Sequence, residues 1–267
     1  MEPLIDSHCH LTFDGLWERS SEVIARAQAA GVRAFVTVAT DLADAERALA
    51  LSAEHGSVHV AAGVHPHEAD KVATGWDAAL ERLFRRDDVV AVGETGLDYH
   101  YDLSDCESQK RVFRRQLEIA TGVGKPVIIH CREAQADAMA ILADFGDLRG
   151  VVFHCFTGSE AEAVDILGRG YWMSLTGVVT FKRSDELRRV ARMIPEDRLM
   201  IETDSPYLSP EPVRRVRPNE PAHLPHTAAC VALERGLSVS ELSAMTVRNA
   251  CRFFSLPSLA EGGFEES

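Results

Sequence analysis

The sequence predicts a (β/α)8 barrel, in which eight parallel strands alternate with helices around a closed ring. Eight short apolar runs rich in β-branched residues occur between Leu4 and Ile201. Stretches with the apolar spacing of amphipathic helices lie between these runs. The alternative is a doubly wound open sheet, which would require a glycine-rich phosphate turn after its first strand. That strand instead ends in His8-Cys9-His10-Leu11, so we favour the barrel.

The predicted elements follow each other in a regular order along most of the chain. Strands are expected at residues 4–7, 34–39, 58–63, 89–93, 127–129, 151–153, 171–175 and 199–201. Helices are expected between them at residues 21–30, 41–55, 75–86, 107–121, 134–145, 161–167 and 184–193. Gly31 and Gly56 stand where the first two helices should end, a position that glycine favours because it readily adopts left-handed backbone angles.

The alternation stops after Ser209, where several prolines and arginines predict an irregular loop. Two further helices, near residues 226–235 and 239–252, are expected to cover one end of the barrel. No linker divides the sequence, so residues 1–260 are predicted to form a single domain. Residues 261–267, which are rich in Gly and Glu, are expected to be a disordered tail.

The composition is that of a soluble globular protein, with 46% hydrophobic and 26% charged residues among 267. No segment reaches the roughly 20 apolar residues of a membrane span. The start, Met1-Glu2-Pro3, lacks the basic and apolar regions of a signal peptide. We therefore expect a cytoplasmic monomer without a membrane partner. The six cysteines include no Cys-x-x-Cys pair, which argues against a zinc ribbon or a disulfide framework.

The formal net charge of −13 bears on the partners of the protein. Such a charge argues against a broad basic surface that would hold duplex nucleic acid by its phosphates. It does not exclude a phosphodiester substrate, because bound divalent cations can reverse the local electric field at one site.

Side chains that commonly bind metals stand at the ends of five predicted strands. His8 and His10 end the first strand, and alternation along an extended chain puts Asp6 on the same face. In a barrel of this class, the carboxyl ends of the strands form one rim, where the active site lies. Six candidate metal ligands fall on this rim: His8, His10, Glu94, His130, His154 and Asp204. A metal site explains this coincidence better than chance.

Four imidazoles and two carboxylates suit Zn²⁺, Mn²⁺ or similar cations. Six ligands are too many for one tetrahedral ion with an open position, so we predict two cations that share Glu94 as a bridge. The remaining ligands divide into His8, His10 and Asp204 on one cation and His130 and His154 on the other. Two cations about 4 Å apart can activate a shared water and stabilise an in-line displacement. Glu94 and Asp204 are the predicted catalytic carboxylates, and Asp204 is a candidate acceptor of the proton from that water.

Eight short motifs are spread along residues 4–254. They are Asp6-Ser7-His8-Cys9-His10-Leu11, Gly63-Val64-His65-Pro66-His67, Gly93-Glu94-Thr95-Gly96-Leu97-Asp98-Tyr99, His130-Cys131-Arg132-Glu133-Ala134, His154-Cys155-Phe156-Thr157-Gly158, Glu202-Thr203-Asp204-Ser205-Pro206-Tyr207-Leu208, Asn219-Glu220-Pro221 and Asn249-Ala250-Cys251-Arg252-Phe253-Phe254. Each motif alone is weak, but the ordered set is highly specific. Together they resemble the TatD-like metal-dependent hydrolases of the amidohydrolase superfamily.

This resemblance implies a TIM barrel with a two-metal site built from the ligands inferred above. It implies DNase activity that depends on Mg²⁺, Mn²⁺ or Zn²⁺, with 3′–5′ exonuclease action on single-stranded DNA. It also implies that Glu94 stands where relatives in the wider superfamily carry a carboxylated lysine. The predicted function is therefore that of a two-metal deoxyribonuclease.

Two other functions stay open at the level of the sequence. The first is hydrolysis of an amide or ester, for example as a D-aminoacyl-tRNA deacylase, because an activated water attacks a carbonyl carbon equally well. The second is a non-catalytic metal-dependent binding protein. The sequence gives this function no support, because every candidate ligand position is occupied by a residue that can bind a metal. Assays on DNA, RNA and aminoacylated tRNA separate these functions.

Further residues near the rim are candidates for substrate contacts. The predicted substrate-binding residues are His65, Arg132, Lys182 and Tyr207. The first three suit a phosphate group, and Tyr207, like Phe156 and Phe181, suits stacking on a base. Arg214, Arg215 and Arg217 form a basic cluster that we expect to guide the nucleic-acid backbone. Asp98 is expected to orient a ligand or contact substrate, and Asp6 to support a ligand.

Overall fold

The computed structural model describes residues 2–101 and 103–257. One eight-stranded sheet runs in the order β1 to β8, and each strand pairs in parallel with the next. The strands are β1 Leu4–Cys9, β2 Val32–Ala39, β3 Val58–Ala62, β4 Val89–Asp98, β5 Val127–Arg132, β6 Val151–Phe153, β7 Trp172–Leu175 and β8 Leu199–Ile201. The predicted disordered tail, residues 261–267, lies outside the described residues.

Helices alternate with the strands and surround the sheet. They are α1 Ser20–Ala29, α2 Leu42–Glu54, α3 Trp76–Phe84, α4 Cys106–Val123, α5 Gln135–Leu142, α6 Glu160–Gly168, α7 Asp185–Met193, α8 Leu224–Arg235 and α9 Val239–Phe254. The described part of the chain contains no helix with the length and apolarity that crossing a membrane requires. The predicted (β/α)8 barrel is confirmed.

Local sequence explains where several helices begin. Ser159 before α6 and Ser238 before α9 each form a capping box with the glutamate three positions later. Each serine hydroxyl accepts a hydrogen bond from a backbone N–H that the helix itself leaves unpaired. The glutamate carboxylate in turn accepts a hydrogen bond from the backbone N–H of the serine. Asp41 and Asp105 cap α2 and α4 in the same way through their carboxylates.

The segment after β8 closes the barrel against β1. The backbone N–H of Asp204 donates to the carbonyl of His8 (3.0 Å), and that of His10 donates to the carbonyl of Ser205 (2.8 Å). The Ser7 hydroxyl adds a bond to the carbonyl of Ile201 (3.0 Å). The same backbone segments that join the first and last strands thus carry three of the predicted ligands.

Two apolar layers hold the barrel. The outer layer lies between the sheet and the helices and contains, for example, Phe35 and Leu117. The inner layer combines alternate strand residues such as Val36 and Ile128 with Phe253 and Phe254 of α9. Because α9 reaches into the inner layer, it covers one end of the barrel as predicted and leaves the opposite rim for the site. The helix predicted near residues 226–235 was expected to share this role, but α8 packs in the outer layer instead.

Strands β4 and β5 are longer than the sequence predicted. They were expected to end at residues 93 and 129, yet their pairing continues through Thr95 with Ile129 and Asp98 with Arg132. Polar side chains suggested strand ends, but the pairing uses backbone groups and tolerates polar residues. His130 is therefore held within the paired strands, whereas Glu94 lies in β4 at the irregularity of this pairing between Val92 and Thr95. Both residues are carried by strands rather than by loops.

Gly96 lies where β4 passes close to β5, and replacing it with alanine should destabilise the fold. Its φ is +140°, and a Cβ there would lie 2.0 Å from the carbonyl oxygen of His130. We expect Gly96→Ala to lower the free energy of unfolding by about 2–4 kcal/mol, through steric overlap and backbone strain. Urea denaturation measures this change.

Gly122 in α4 provides the matched control, since a Cβ there meets no atom within 4 Å. Gly122→Ala should raise the free energy of unfolding by about 0.5–1 kcal/mol, because alanine favours the helix. Equal stabilities of the two variants would contradict the account of Gly96.

Candidate metal centre

The six predicted ligands meet at the rim opposite α9. His8 comes from β1 and His10 follows it directly, Glu94 comes from β4 and His130 from β5. His154 and Asp204 follow β6 and β8. Five of the six residues are at most 9% exposed, and the side chain of His130 is 18% exposed. Residues far apart in sequence thus form one buried polar cluster.

Glu94 lies at the centre of this cluster, and its two oxygens face different groups. Oε1 lies 2.6 Å from Nδ1 of His130 and 2.7 Å from Nε2 of His154. Oε2 lies 3.4 Å from Nε2 of His8 and 3.7 Å from Nε2 of His10. Each oxygen thus faces a separate set of imidazoles, with Oε1 at hydrogen-bond distance from two of them, and this division suits a carboxylate that two cations would share.

The group around His8, His10 and Asp204 fits a cation by its spacing. The Nε2 atoms of the two histidines lie 3.2 Å apart, and Oδ1 of Asp204 lies 3.4 Å from His10 and 3.8 Å from His8. Ligands about 2.1 Å from a tetrahedral ion are separated from each other by about 3.4 Å. The side chains therefore point at a common centre with the spacing of coordinating atoms, and the donor set suits a divalent cation.

A second group contains His65, Glu94 and His130, whose candidate atoms lie within 4.8 Å of one another. Nε2 of His65 is 3.5 Å from Oε1 of Glu94. His65 was predicted to bind substrate, and the structure brings it to the same carboxylate as His130 and His154. Nδ1 of His65 accepts a hydrogen bond from the backbone N–H of His67 (3.1 Å), which leaves Nε2 facing the centre.

The electrostatics keep both carboxylates charged. Burial by itself raises the pKa of Glu94, but the imidazoles of His154, His65 and His130 outweigh burial and hold the pKa well below its usual range. The pKa of Asp204 is likewise lowered, because its hydrogen bond to His10 and the nearby imidazoles exceed the effect of burial. Both groups are thus ionised at neutral pH, which is the form that binds cations.

Three imidazoles have an acceptor on the side away from the centre. Nδ1 of His10 donates to the carbonyl of Val38 (2.8 Å), and Nε2 of His130 lies 2.9 Å from Oδ2 of Asp98. Nδ1 of His154 lies 3.3 Å from Oε1 of Glu202. Such partners fix the ring orientation and leave the other nitrogen free for a metal.

No role was predicted for Glu202, yet the structure places it beside the centre. Glu202 is 1% exposed, accepts a hydrogen bond from the backbone N–H of Cys155 (2.7 Å) and forms a potential metal-binding group with His8 and His154. The signal was its position directly after β8, two residues before Asp204, where an extended chain puts both side chains on one face.

Asp6 contacts the neighbouring loop rather than the ligand atoms. Its carboxylate accepts hydrogen bonds from the backbone N–H and the hydroxyl of Thr203 (2.9 and 2.5 Å) and from the backbone N–H of His8 (3.4 Å). Burial raises its pKa to about 8 despite these bonds. The contacts agree with the expected supporting role, since they join β1 to the segment that carries Asp204.

The outer candidates occupy different surroundings. Tyr207 is 48% exposed, with its ring 6.3 Å from that of His10. Arg132 is exposed at the end of β5, and Lys182 is exposed beyond β7. The structure thus leaves all three accessible at or near the rim.

The structure argues against two of the stacking candidates and part of the basic cluster. Phe156 is only 6% exposed and packs in the core. The ring of Phe181 is covered by the guanidinium of Arg214, 3.7 Å from its centroid. Arg217 donates to the hydroxyl of Ser209 and to carbonyls of its own loop, so it stabilises the loop.

Asp98 is a positioning residue whose replacement should weaken metal binding. Its Oδ1 accepts from the backbone N–H groups of His100 and Tyr101 (2.9 and 3.1 Å), and its Oδ2 contacts His67 and His130 (3.0 and 2.9 Å). In Asp98→Asn the amide NH₂ would face His130, whose ring proton would then move to Nδ1 and block that atom. We expect a 10- to 100-fold loss of Mn²⁺ affinity by titration calorimetry.

Asp137→Asn is the matched control, because Asp137 bonds Tyr99 and Lys110 outside the centre. The affinity of this variant for Mn²⁺ should equal that of the wild type. Unchanged affinity in Asp98→Asn would show that Asp98 does not position His130.

Comparisons with known proteins identify the family of this chain. A profile of TatD-related DNases matches residues 5–255. The chain is 38% identical over 254 residues to the uncharacterized metal-dependent hydrolase YabD of Bacillus subtilis, covering 95% of this chain and 99% of that protein. It is also 38% identical over 259 residues to the 3′–5′ ssDNA/RNA exonuclease TatD of Erwinia tasmaniensis, covering 95% and 100%.

Among solved structures, the TatD homologue YJJV of Escherichia coli superposes with a TM-score of 0.90 at 29% identity. The match covers 95% of this chain and 98% of that one. The residues matched by the family profile, 5–255, span all eight strands of the barrel except the first residue of β1. The chain belongs to the family of TatD-related DNases.

Proposed function

We propose that this protein is a 3′–5′ exonuclease of single-stranded DNA that uses two divalent cations, Mg²⁺, Mn²⁺ or Zn²⁺. The proposed ligands are His8, His10, Glu94, His130, His154 and Asp204. The observation that carries the proposal is the position of Glu94, whose two oxygens face separate sets of imidazoles. A relative named as a 3′–5′ ssDNA/RNA exonuclease supports the choice of substrate.

When bound, the cations would supply Lewis-acid activation of water and neutralise charge on the phosphate. The chain's own residues orient this chemistry. Glu94 supplies negative charge between the two groups, and Asp204, held by His10, would accept a proton from the attacking water. Asp98 and Glu202 would keep their histidines in the required orientation.

Substrate contacts fall to residues around the centre. Arg132, beside the centre, and Lys182 would bind phosphate oxygens. His65 would bind a phosphate group next to Glu94. Tyr207 would contact a base. The remaining surface is acidic on balance, so we expect weak, salt-sensitive binding outside the centre. We further propose that residues 1–260 act as one domain in a cytoplasmic monomer.

One panel of substrates tests the proposal. Metal-loaded protein is incubated with end-labelled single-stranded DNA, duplex DNA, RNA and aminoacylated tRNA. Stepwise release of mononucleotides from the 3′ end of single-stranded DNA is the expected result, and Asp204→Asn should abolish it while the circular dichroism spectrum stays unchanged. Turnover of aminoacylated tRNA with intact DNA would instead favour the ester or amide hydrolase.

A further inference from the structure

Three aromatic side chains are exposed at the rim without a structural reason. Phe13, Tyr101 and Tyr207 are 44%, 52% and 48% exposed. Among residues 2–101 and 103–257, they are the only exposed large aromatic side chains. Single exposed apolar residues are normal on any protein, but these three all belong to loops that follow barrel strands at the carboxyl rim. Their concentration beside the metal centre indicates a binding surface.

The first aromatic surface consists of Phe13 and Tyr207. Phe13 follows β1 and Tyr207 follows β8, so the two flank the seam of the barrel. Their ring centroids lie 5.5 Å apart with the planes at 69°, and the Tyr207 ring is 6.3 Å from that of His10. The pair therefore stands directly beside the group formed by His8, His10 and Asp204.

The second aromatic surface is the ring of Tyr101, which follows β4. The guanidinium carbon of Arg132, at the end of β5, lies over this ring, 4.6 Å from its centroid. Unlike Phe181, which is only partly exposed beneath Arg214, the Tyr101 side chain is 52% exposed and so remains accessible to a base. The ring of His67 meets it edge to face at 5.5 Å, and His67 in turn bonds Asp98. This surface stands beside the group that contains His130.

The two surfaces lie on opposite sides of the centre. In a ring of eight strands, the seam between β8 and β1 is opposite the pair β4 and β5. A single nucleotide strand crossing the centre would meet one aromatic surface on each side.

We propose that these surfaces stack the two bases on either side of the scissile phosphate, Phe13 and Tyr207 holding one base and Tyr101 the other. This inference rests on the proposed nuclease function and adds a reason for its strand preference. Every base has a π-face, so stacking tolerates any sequence. In a duplex, neighbouring base pairs cover both faces of an interior base and one face of a terminal base. Two surfaces that must each stack on one of two adjacent bases therefore favour unpaired ends.

A cycle of protein variants and abasic substrates tests the inference. The substrates are a single-stranded oligonucleotide, the same strand without its 3′-terminal base and the same strand without its penultimate base. The proteins are the wild type, Tyr207→Ala and Tyr101→Ala, with Tyr207→Phe as the variant that keeps the ring. Leu233→Ala is the control, since Leu233 is 78% exposed but lies on α8.

The effects on KM of removing a base and of removing its aromatic partner should not be additive. Each change alone should raise KM about tenfold, and the combination should raise it no further. Tyr207 should couple to one of the two bases and Tyr101 to the other. Tyr207→Phe, which keeps the ring, should retain the coupling to its base, whereas Leu233→Ala should behave as the wild type. Additive effects, or coupling of both tyrosines to the same base, would overturn the inference but leave the nuclease function intact. Failure of the wild type to cleave the intact strand would overturn both.

Discussion

Glu94→Gln is expected to lower hydrolysis by more than about 10³-fold. Removing one positioned donor from an active site costs about 10²- to 10³-fold, and Glu94 serves both groups of candidate ligands. The amide would keep the size of the side chain but remove the charge and one acceptor oxygen. Single-turnover cleavage of an end-labelled strand measures the effect, with circular dichroism to verify the fold.

Glu133→Gln is the matched control for this variant. It makes the same chemical change on the same rim, but the side chain of Glu133 is 64% exposed and pairs with His100. Its activity should stay within a few-fold of the wild type. Full activity of Glu94→Gln would show that the centre described above does not carry out the reaction.

Removal of metal should abolish hydrolysis and also destabilise the protein. A ligand present at 100 times its dissociation constant stabilises the folded state by about 2.7 kcal/mol. For a chain of this size that corresponds to a change in Tm of roughly 5–10 °C. We therefore expect exhaustive chelation to lower Tm by this amount in differential scanning calorimetry, and added Mn²⁺ to restore both Tm and activity.

Glu94→Gln also controls the chelation experiment. This variant lacks the shared carboxylate and should bind cations weakly, so the chelator should change its Tm by much less. Identical Tm values for chelated and metal-loaded wild type, together with full activity after chelation, would disprove metal dependence.

The barrel and the members of its centre could be predicted from the sequence because both depend on local patterns. Strand-forming runs such as 151–153 and 199–201 were placed correctly, and each predicted ligand stands at or near the end of such a run. The closed ring then brings these ends together whatever the loops between them do. The candidate rim residues therefore followed from the fold class together with the ends of the predicted strands.

The partners of the ligands could not be predicted in the same way. The contacts of Glu202 with His154 and of Asp98 with His67 join segments at the carboxyl ends of different strands, and their geometry depends on the register of the sheet. The accessibility of the Phe156 and Phe181 rings could not be predicted from a local pattern, because it depends on tertiary packing. Phe156 is buried, and Arg214 covers the ring of Phe181. Pairwise contacts between distant segments thus set the limit of prediction.

The hydrogen bonds between β1 and the segment after β8 have a consequence for biosynthesis. Asp6 and Thr203 are 197 positions apart, and the carbonyl of His8 pairs with the N–H of Asp204. A nascent chain that has emerged only through β7 therefore lacks both the neighbour of its first strand and one carboxylate of its centre. Such long-range closure comes late in folding. Shortened translation products consequently carry an incomplete centre.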